Sequence, residues 1–143
     1  MVTRWEGLGG SALQARGSFS VSLSGGSTPK ALYERLAKLK WPWSATHLYL
    51  GDERWVPPDH KDSNYRMIHE AFHATGAKIE RIHTEIGTPE IGARDYEKRL
   101  KLELGDPPKF DLILLGVGDD GHTSSLFPGT EALKDNKLFM APN

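Results

Sequence analysis

Three short stretches hold the residue types that could do chemistry. They are Ser24-Gly25-Gly26-Ser27-Thr28, Gly51-Asp52-Glu53-Arg54 and Gly116-Val117-Gly118-Asp119-Asp120-Gly121-His122. A glycine turn that opens a helix presents free backbone N–H groups and the positive end of the helix dipole at one point, which suits a phosphate. Gly25, Gly26, Ser27 and Thr28 are the candidates for such a cradle, with the two hydroxyls adding donors. No Gly-Lys-Ser/Thr follows the turn, which argues against a nucleoside triphosphate. The same composition also describes a capped strand-to-helix turn with no ligand. Asp52, Glu53 and Arg54 follow a strand end, so their charges are expected to project into a crevice. The Arg54 guanidinium offers a fork of donors to a phosphate or carbonyl oxygen. A surface salt-bridge cluster is the plainer alternative. His122 could take a proton from water and return it to a leaving oxygen, and Asp120, two residues earlier, could orient the imidazole or support its charged form. The plain alternative there is a histidine beside a helix cap with no chemistry.

A fourth pattern, His69-Glu70-Ala71-Phe72-His73, matches H-E-x-x-H on a predicted helix, and Gly76 extends the match. A third histidine is then wanted at position 79, where Ile79 stands, leaving Glu97 as the substitute ligand in a zinc-hydrolase reading.

The elements that must position these residues alternate. Phe19, Val21 and Leu23 alternate with serines, the period of a strand, and small serines let a helix pack closely. Thr28 reads as an N-cap and Pro29 as the first residue of a helix carrying Leu32, Leu36 and Leu39 on one face and ending before Pro42. His47–Leu50 is a second strand, a helix runs from about Asn64 to His73, and Lys78–His83 is a short strand candidate. Thr88-Pro89 opens a helix bearing Ala93, Tyr96, Leu100 and Leu104, closed by Gly105. Leu112–Leu115 is apolar without alternation, as expected of a central parallel strand covered on both faces. Trp41 and Trp43 are expected over a helix end or in a loop, and Trp55 in packing or walling the crevice beside Arg54. Residues 1–18 read as an irregular segment with at most a turn near Leu13, and 19–143 as one α/β domain. The order of elements argues for an α/β fold, a three-layer Rossmann-like parallel sheet with helices on both faces. In such sheets, ligands bind outside the carboxyl ends of the strands, where all three stretches fall.

Composition narrows the function classes. The chain has 143 residues, 38% hydrophobic and 26% charged, which fits a single domain of ordinary size. Its longest apolar runs fall short of the ~18 residues a membrane helix needs, so no membrane partner is expected. Eighteen Lys and Arg against 19 Asp and Glu give no global field for a nucleic acid, so an anion must be held locally. The absence of cysteine excludes disulfide and thiolate chemistry and suits a cytoplasmic setting, and no signal-peptide pattern opens the chain. Oligomeric state is not legible.

Taken together the stretches resemble the 6-phosphogluconolactonase family, which is similar in turn to the glucosamine-6-phosphate deaminases. Leu23–Leu36 resembles that family's Gly-Ser-Thr-Pro loop and helix, and Gly51–Asn64 its Asp-Glu-Arg loop with an Asp-Ser-Asn continuation. Gly116–Gly129 resembles its Asp-Gly-His-Thr signature running into Leu-Phe-Pro-Gly. The resemblance covers about residues 19–130. It implies hydrolysis of 6-phosphoglucono-δ-lactone to 6-phosphogluconate in the oxidative pentose phosphate pathway, without metal or organic cofactor. It further implies that Gly25–Thr28, Asp52, Arg54 and Asn64 bind the substrate and that His122 acts as base, held by Asp120. Backbone N–H groups near Gly121, or Arg54 itself, are the candidate donors for the oxyanion. Arg54 and the Thr123–Pro128 run favour the lactonase over the deaminase. Family members carry a further strand and helix before the glycine loop and continue past the position of Asn143, so the resemblance also implies an incomplete sheet. A sugar-phosphate-binding chain without catalysis is the competing expectation.

Overall fold

A computed structural model describes residues 1–135 of the chain; the last eight residues of the expected 19–143 domain lie outside the described residues. Four strands, β1 (Phe19–Leu23), β2 (Thr46–Leu50), β3 (Lys78–Glu80) and β4 (Leu112–Ile113), form a parallel sheet in the order β3-β2-β1-β4. Four helices, α1 (Val2–Arg16), α2 (Ser27–Leu36), α3 (Asn64–Phe72) and α4 (Pro89–Leu104), precede or connect them. The chain steps outward from β1 to β3 and then returns past β1 to β4, pairing Val21 with Leu112 and Ser22 with Ile113. The loops leaving β1 and β4 therefore diverge from neighbouring strands, which makes a crevice at their carboxyl ends.

Helices cover both faces. On one, Trp5 of α1 stands edge-on to Phe19 at 5.1 Å and meets Trp43 at 5.8 Å. Trp43 contacts Phe72 of α3 at 5.4 Å, and Phe72 contacts Tyr33 of α2 at 5.7 Å. Such ring pairs add about 0.5–1.5 kcal/mol each beyond the area they bury. On the other face the Tyr49 hydroxyl donates to Glu103 of α4 at 2.8 Å. The buried Tyr96 hydroxyl accepts from the Leu50 amide at 2.9 Å and donates to the Leu50 carbonyl at 3.1 Å. It thus satisfies backbone groups just past the last β2–β3 pair, Tyr49 with Glu80.

Three expectations need correction. The segment 1–18 is not irregular, because α1 fills it and closes on Gly17 in the left-handed conformation. Gly7, Gly9 and Gly10 hide the helix from propensity, yet Gly9 is required by packing: a Cβ there would lie 2.6 Å from the Trp41 ring. Burial of Trp5, not intrinsic preference, holds α1 on the sheet. Trp41 and Trp43 accordingly belong to the aromatic layer around Trp5. Second, α2 starts at Ser27 with Gly26 as N-cap at φ 107°, so Thr28 is not the cap and Pro29 is the third helical residue. Third, among the described residues Leu112–Leu115 is not covered on both faces, and only Leu112–Ile113 is strand. Among the described residues β4 lies at the sheet edge, with Ile113 52% and Leu115 61% exposed while Leu114 is buried.

The start of the cradle depends on a buried phenol. The Tyr33 hydroxyl donates to the Ser24 carbonyl at 2.8 Å, and burial pushes its pKa up to about 12. An unfolded tyrosine ionises near pH ~10, so above that pH the unfolded state binds fewer protons than the folded one and stability falls as pH rises towards 12. Burial pushes Tyr49 and Tyr96 upward as well. Tyr33→Phe is expected to cost about 1 kcal/mol at neutral pH and to reduce, without abolishing, the alkaline loss. Urea melts between pH 8 and 11 check both.

Candidate active site

All three stretches reach one cavity of about 730 Å³ at the crevice between the ends of β1 and β4, a volume in the range of small-ligand sites. Gly25–Thr28 form one wall, Asp52, Arg54 and Asn64 a second, and Gly116–Gly118 with His122 a third. Ile113, Leu115 and Val117 give the apolar side.

The turn is shaped by its glycines. Gly26 takes a conformation side-chain-bearing residues rarely adopt, and Pro29 has no N–H to donate. The amides of Ser27 and Thr28 stand in the first turn of α2, where helix N–H groups lack intrahelical acceptors. Asn64 is buried against Gly25 so closely that a Cβ there would lie 1.9 Å from the Asn64 carboxamide oxygen. Its Nδ2 donates to the Asp52 carboxylate at 3.1 Å and to the Asp52 carbonyl at 3.2 Å.

Glu53 departs from the expectation that the Asp-Glu-Arg charges project into the crevice. Its carboxylate turns away to cap α3, accepting from the amides of Asn64 at 2.7 Å and Tyr65 at 2.8 Å, and from the Ser63 hydroxyl at 3.0 Å. A negative charge at a helix N-terminus is favourable, and here it fixes the loop so that Asp52 and Arg54, on either side of it, face the cavity. Arg54 is exposed and lines both this cavity and an adjoining recess of about 400 Å³, where Lys30, Lys61 and Arg66 stand with Asp62 and with Glu70, the ion-pair partner of Arg66. These three cations were missed in the sequence. Lys30 carries a signal, standing one helical turn beyond Ser27; Lys61 and Arg66 acquire their place only from the loop's path into α3.

His122 is oriented by its own loop. Its Nδ1 lies 2.5 Å from the Asp120 carboxylate, which also accepts the His122 amide at 3.1 Å. These two bonds from His122, the ring first, hold the Asp120 carboxyl below the usual carboxylate range. The ring rests on Phe127 at 4.5 Å, and the Gly118 amide donates to the His122 carbonyl at 2.8 Å. A Cβ at Gly118 would lie 2.1 Å from the imidazole, so position 118 admits the ring only as glycine. With Nδ1 engaged by Asp120, Nε2 is the nitrogen left for a substrate or water.

The fourth pattern does not assemble. The rings of His69 and His73 stack at 5.5 Å on α3, and Glu97 pairs with Lys101 of its own helix at 2.8 Å. Among the described residues no group of three ligating side chains converges on them. Trp55 packs on Gly92 of α4 and is absent from the cavity wall.

Residues 3–143 match the family described as glucosamine-6-phosphate isomerases/6-phosphogluconolactonase. The chain belongs to this family. It is 48% identical over 130 residues to a 6-phosphogluconolactonase from Synechocystis, covering 85% of this chain and 54% of that protein. The crystal structure of a 6-phosphogluconolactonase from Shewanella baltica superposes with a TM-score of 0.89 at 34% identity, covering 99% of this chain and 63% of that one. The 6-phosphogluconolactonase from Trypanosoma brucei superposes with a TM-score of 0.83 at 32% identity, covering 96% and 62%. The chain spans about half the length of the curated relatives it matches. Among the described residues no helix is long and apolar enough to cross a membrane.

Proposed function

We propose that this chain carries the catalytic imidazole and phosphate cradle of a 6-phosphogluconolactonase, hydrolysing 6-phosphoglucono-δ-lactone to 6-phosphogluconate. The observation that carries the reading is the single cavity shared by the Gly25–Thr28 turn, Arg54 and the Asp120-oriented His122. The names of its relatives agree with it, and favour a lactonase over a deaminase.

The phosphate dianion lies at the start of α2, where the Ser27 and Thr28 amides and hydroxyls and the Arg54 guanidinium neutralise it. That anchorage sets the lactone carbonyl beside His122. Nε2 of His122 takes a proton from water as the water oxygen bonds to C1. The carbonyl π pair moves onto oxygen, giving a tetrahedral oxyanion. Collapse of the oxyanion breaks the C1–ring-oxygen bond, and the same imidazolium returns its proton to the departing oxygen. Asp120 keeps the Nδ1 proton in place and stabilises the imidazolium between the two transfers. These steps use side chains and water alone, in a solvent-exposed crevice suited to a soluble, cytoplasmic sugar phosphate.

Proton release on adding the lactone, corrected for spontaneous hydrolysis, tests this. Catalysed release that saturates with the phosphorylated lactone is expected. Binding of 6-phosphogluconate without turnover would contradict it and leave a binding role alone.

A further inference from the structure

The loop that carries His122 follows β4, an edge strand among the described residues, and most of its hydrogen bonds close on itself. Gly121 donates to the Gly118 carbonyl at 2.9 Å and Leu126 to the Thr123 carbonyl at 2.9 Å. Ser125 reaches outward: its hydroxyl donates to the Asp52 carboxylate at 2.7 Å, across 73 residues. Ser124, just before it, has φ 50°. That left-handed conformation costs a residue with a side chain on the order of 1 kcal/mol or more and persists where the surroundings enforce it. The other Asp52 carboxylate oxygen accepts from Asn64, which is wedged against Gly25. A continuous line of contacts therefore runs from the His122 loop through Ser125, Asp52 and Asn64 to the anion-binding turn.

We propose that Ser125 is a positioning residue: through Asp52 and Asn64 it sets the register between the phosphate cradle and the His122 imidazole, so that phosphate binding is converted into rate. This rests on the lactonase reading above and adds to it a role for a residue that touches neither the phosphate nor the reacting carbonyl. A carboxylate with both oxygens bonded to different loops is a hinge with two fixed arms, and removing one arm frees the loop without emptying the cradle. A misplacement of about 1 Å is enough to cost on the order of 100-fold in rate.

The test compares 6-phosphoglucono-δ-lactone with glucono-δ-lactone, which has no phosphate for the cradle to hold. In Ser125→Ala, kcat for the phosphorylated lactone is expected to fall about 10- to 100-fold with KM and inhibition by inorganic phosphate little changed. The unphosphorylated lactone should lose less, so the preference for phosphate shrinks. Ser125→Thr, which keeps the hydroxyl, should restore the preference, and thermal melts confirm that both variants fold. Equal losses on the two lactones, or an unchanged preference, would overturn the role of Ser125 while the lactonase reading stands. Failure of the unsubstituted protein to hydrolyse either lactone would overturn both.

Discussion

Replacing His122 with alanine is expected to lower kcat for the phosphorylated lactone by about 10²–10⁴-fold, the usual share of general acid–base catalysis, and to leave KM nearly unchanged. The asymmetry follows from where the residue stands. In the proposed binding mode the phosphate sits at the start of α2 and at Arg54, on other walls of the cavity, so ground-state binding is expected to survive loss of the ring. The proton transfers do not. Asp120→Asn should give a smaller loss with the same signature, because an amide still holds the imidazole without supporting its positive charge. The pH profile separates the two residues. A general base acts only in its unprotonated form, whereas Asp120, held below the usual carboxylate range by its bonds to His122, stays ionised at neutral pH. Activity should therefore rise with pH in the unsubstituted protein, and this limb should vanish in His122→Ala. Stopped-flow proton release across about pH 5–8 reads both. An unaltered limb in the variant would remove His122 from the mechanism.

Gly25→Ala is expected to damage folding and recognition together. The added Cβ would lie 1.9 Å from the Asn64 carboxamide, and Asn64 is buried and bonded to Asp52. Relief by small motion is therefore blocked. Overpacking of this kind costs about 1–3 kcal/mol, and moving the turn weakens charge-assisted bonds to the phosphate worth about 1.5–3 kcal/mol each. KM should rise at least tenfold while the unphosphorylated lactone is affected less. Asn64→Gly removes the obstruction, so Gly25→Ala combined with Asn64→Gly should be less destabilised than the sum of the two single variants. Denaturant midpoints of the four proteins measure the cycle. Strict additivity would contradict the close approach of Asn64 to Gly25.

Strand periodicity and breaker glycines made β1, β2 and the three later helices legible, and with them the order that gathers the loops of the candidate site. What escaped had physical causes. Helix α1 is interrupted by Gly7, Gly9 and Gly10 and is held because Trp5 is buried against Phe19 and Trp43, a contact between segments that no local window contains. The apolar run of β4 reports that a strand is suited to burial on both faces, not which neighbours supply it, and among the described residues Ile113 and Leu115 remain exposed. In the site, His122 with Asp120 could be read locally because the partners are two residues apart. Glu53 as a helix cap and Ser125 as the partner of Asp52 could not, since their partners are up to 73 residues away. The zinc-like pattern shows the limit of spacing alone: the sequence already lacks the third histidine at Ile79, and among the described residues no third ligand meets His69 and His73.

The central claim is that one sugar phosphate bridges the α2 turn and His122. A crystal structure with 6-phosphogluconate bound tests it most directly. The account predicts the phosphate at the amides of Ser27 and Thr28 and at Arg54, with the C1 carboxylate within hydrogen-bond reach of His122 Nε2. A ligand seated with its phosphate at His122, or one that leaves the imidazole uncontacted, would contradict it.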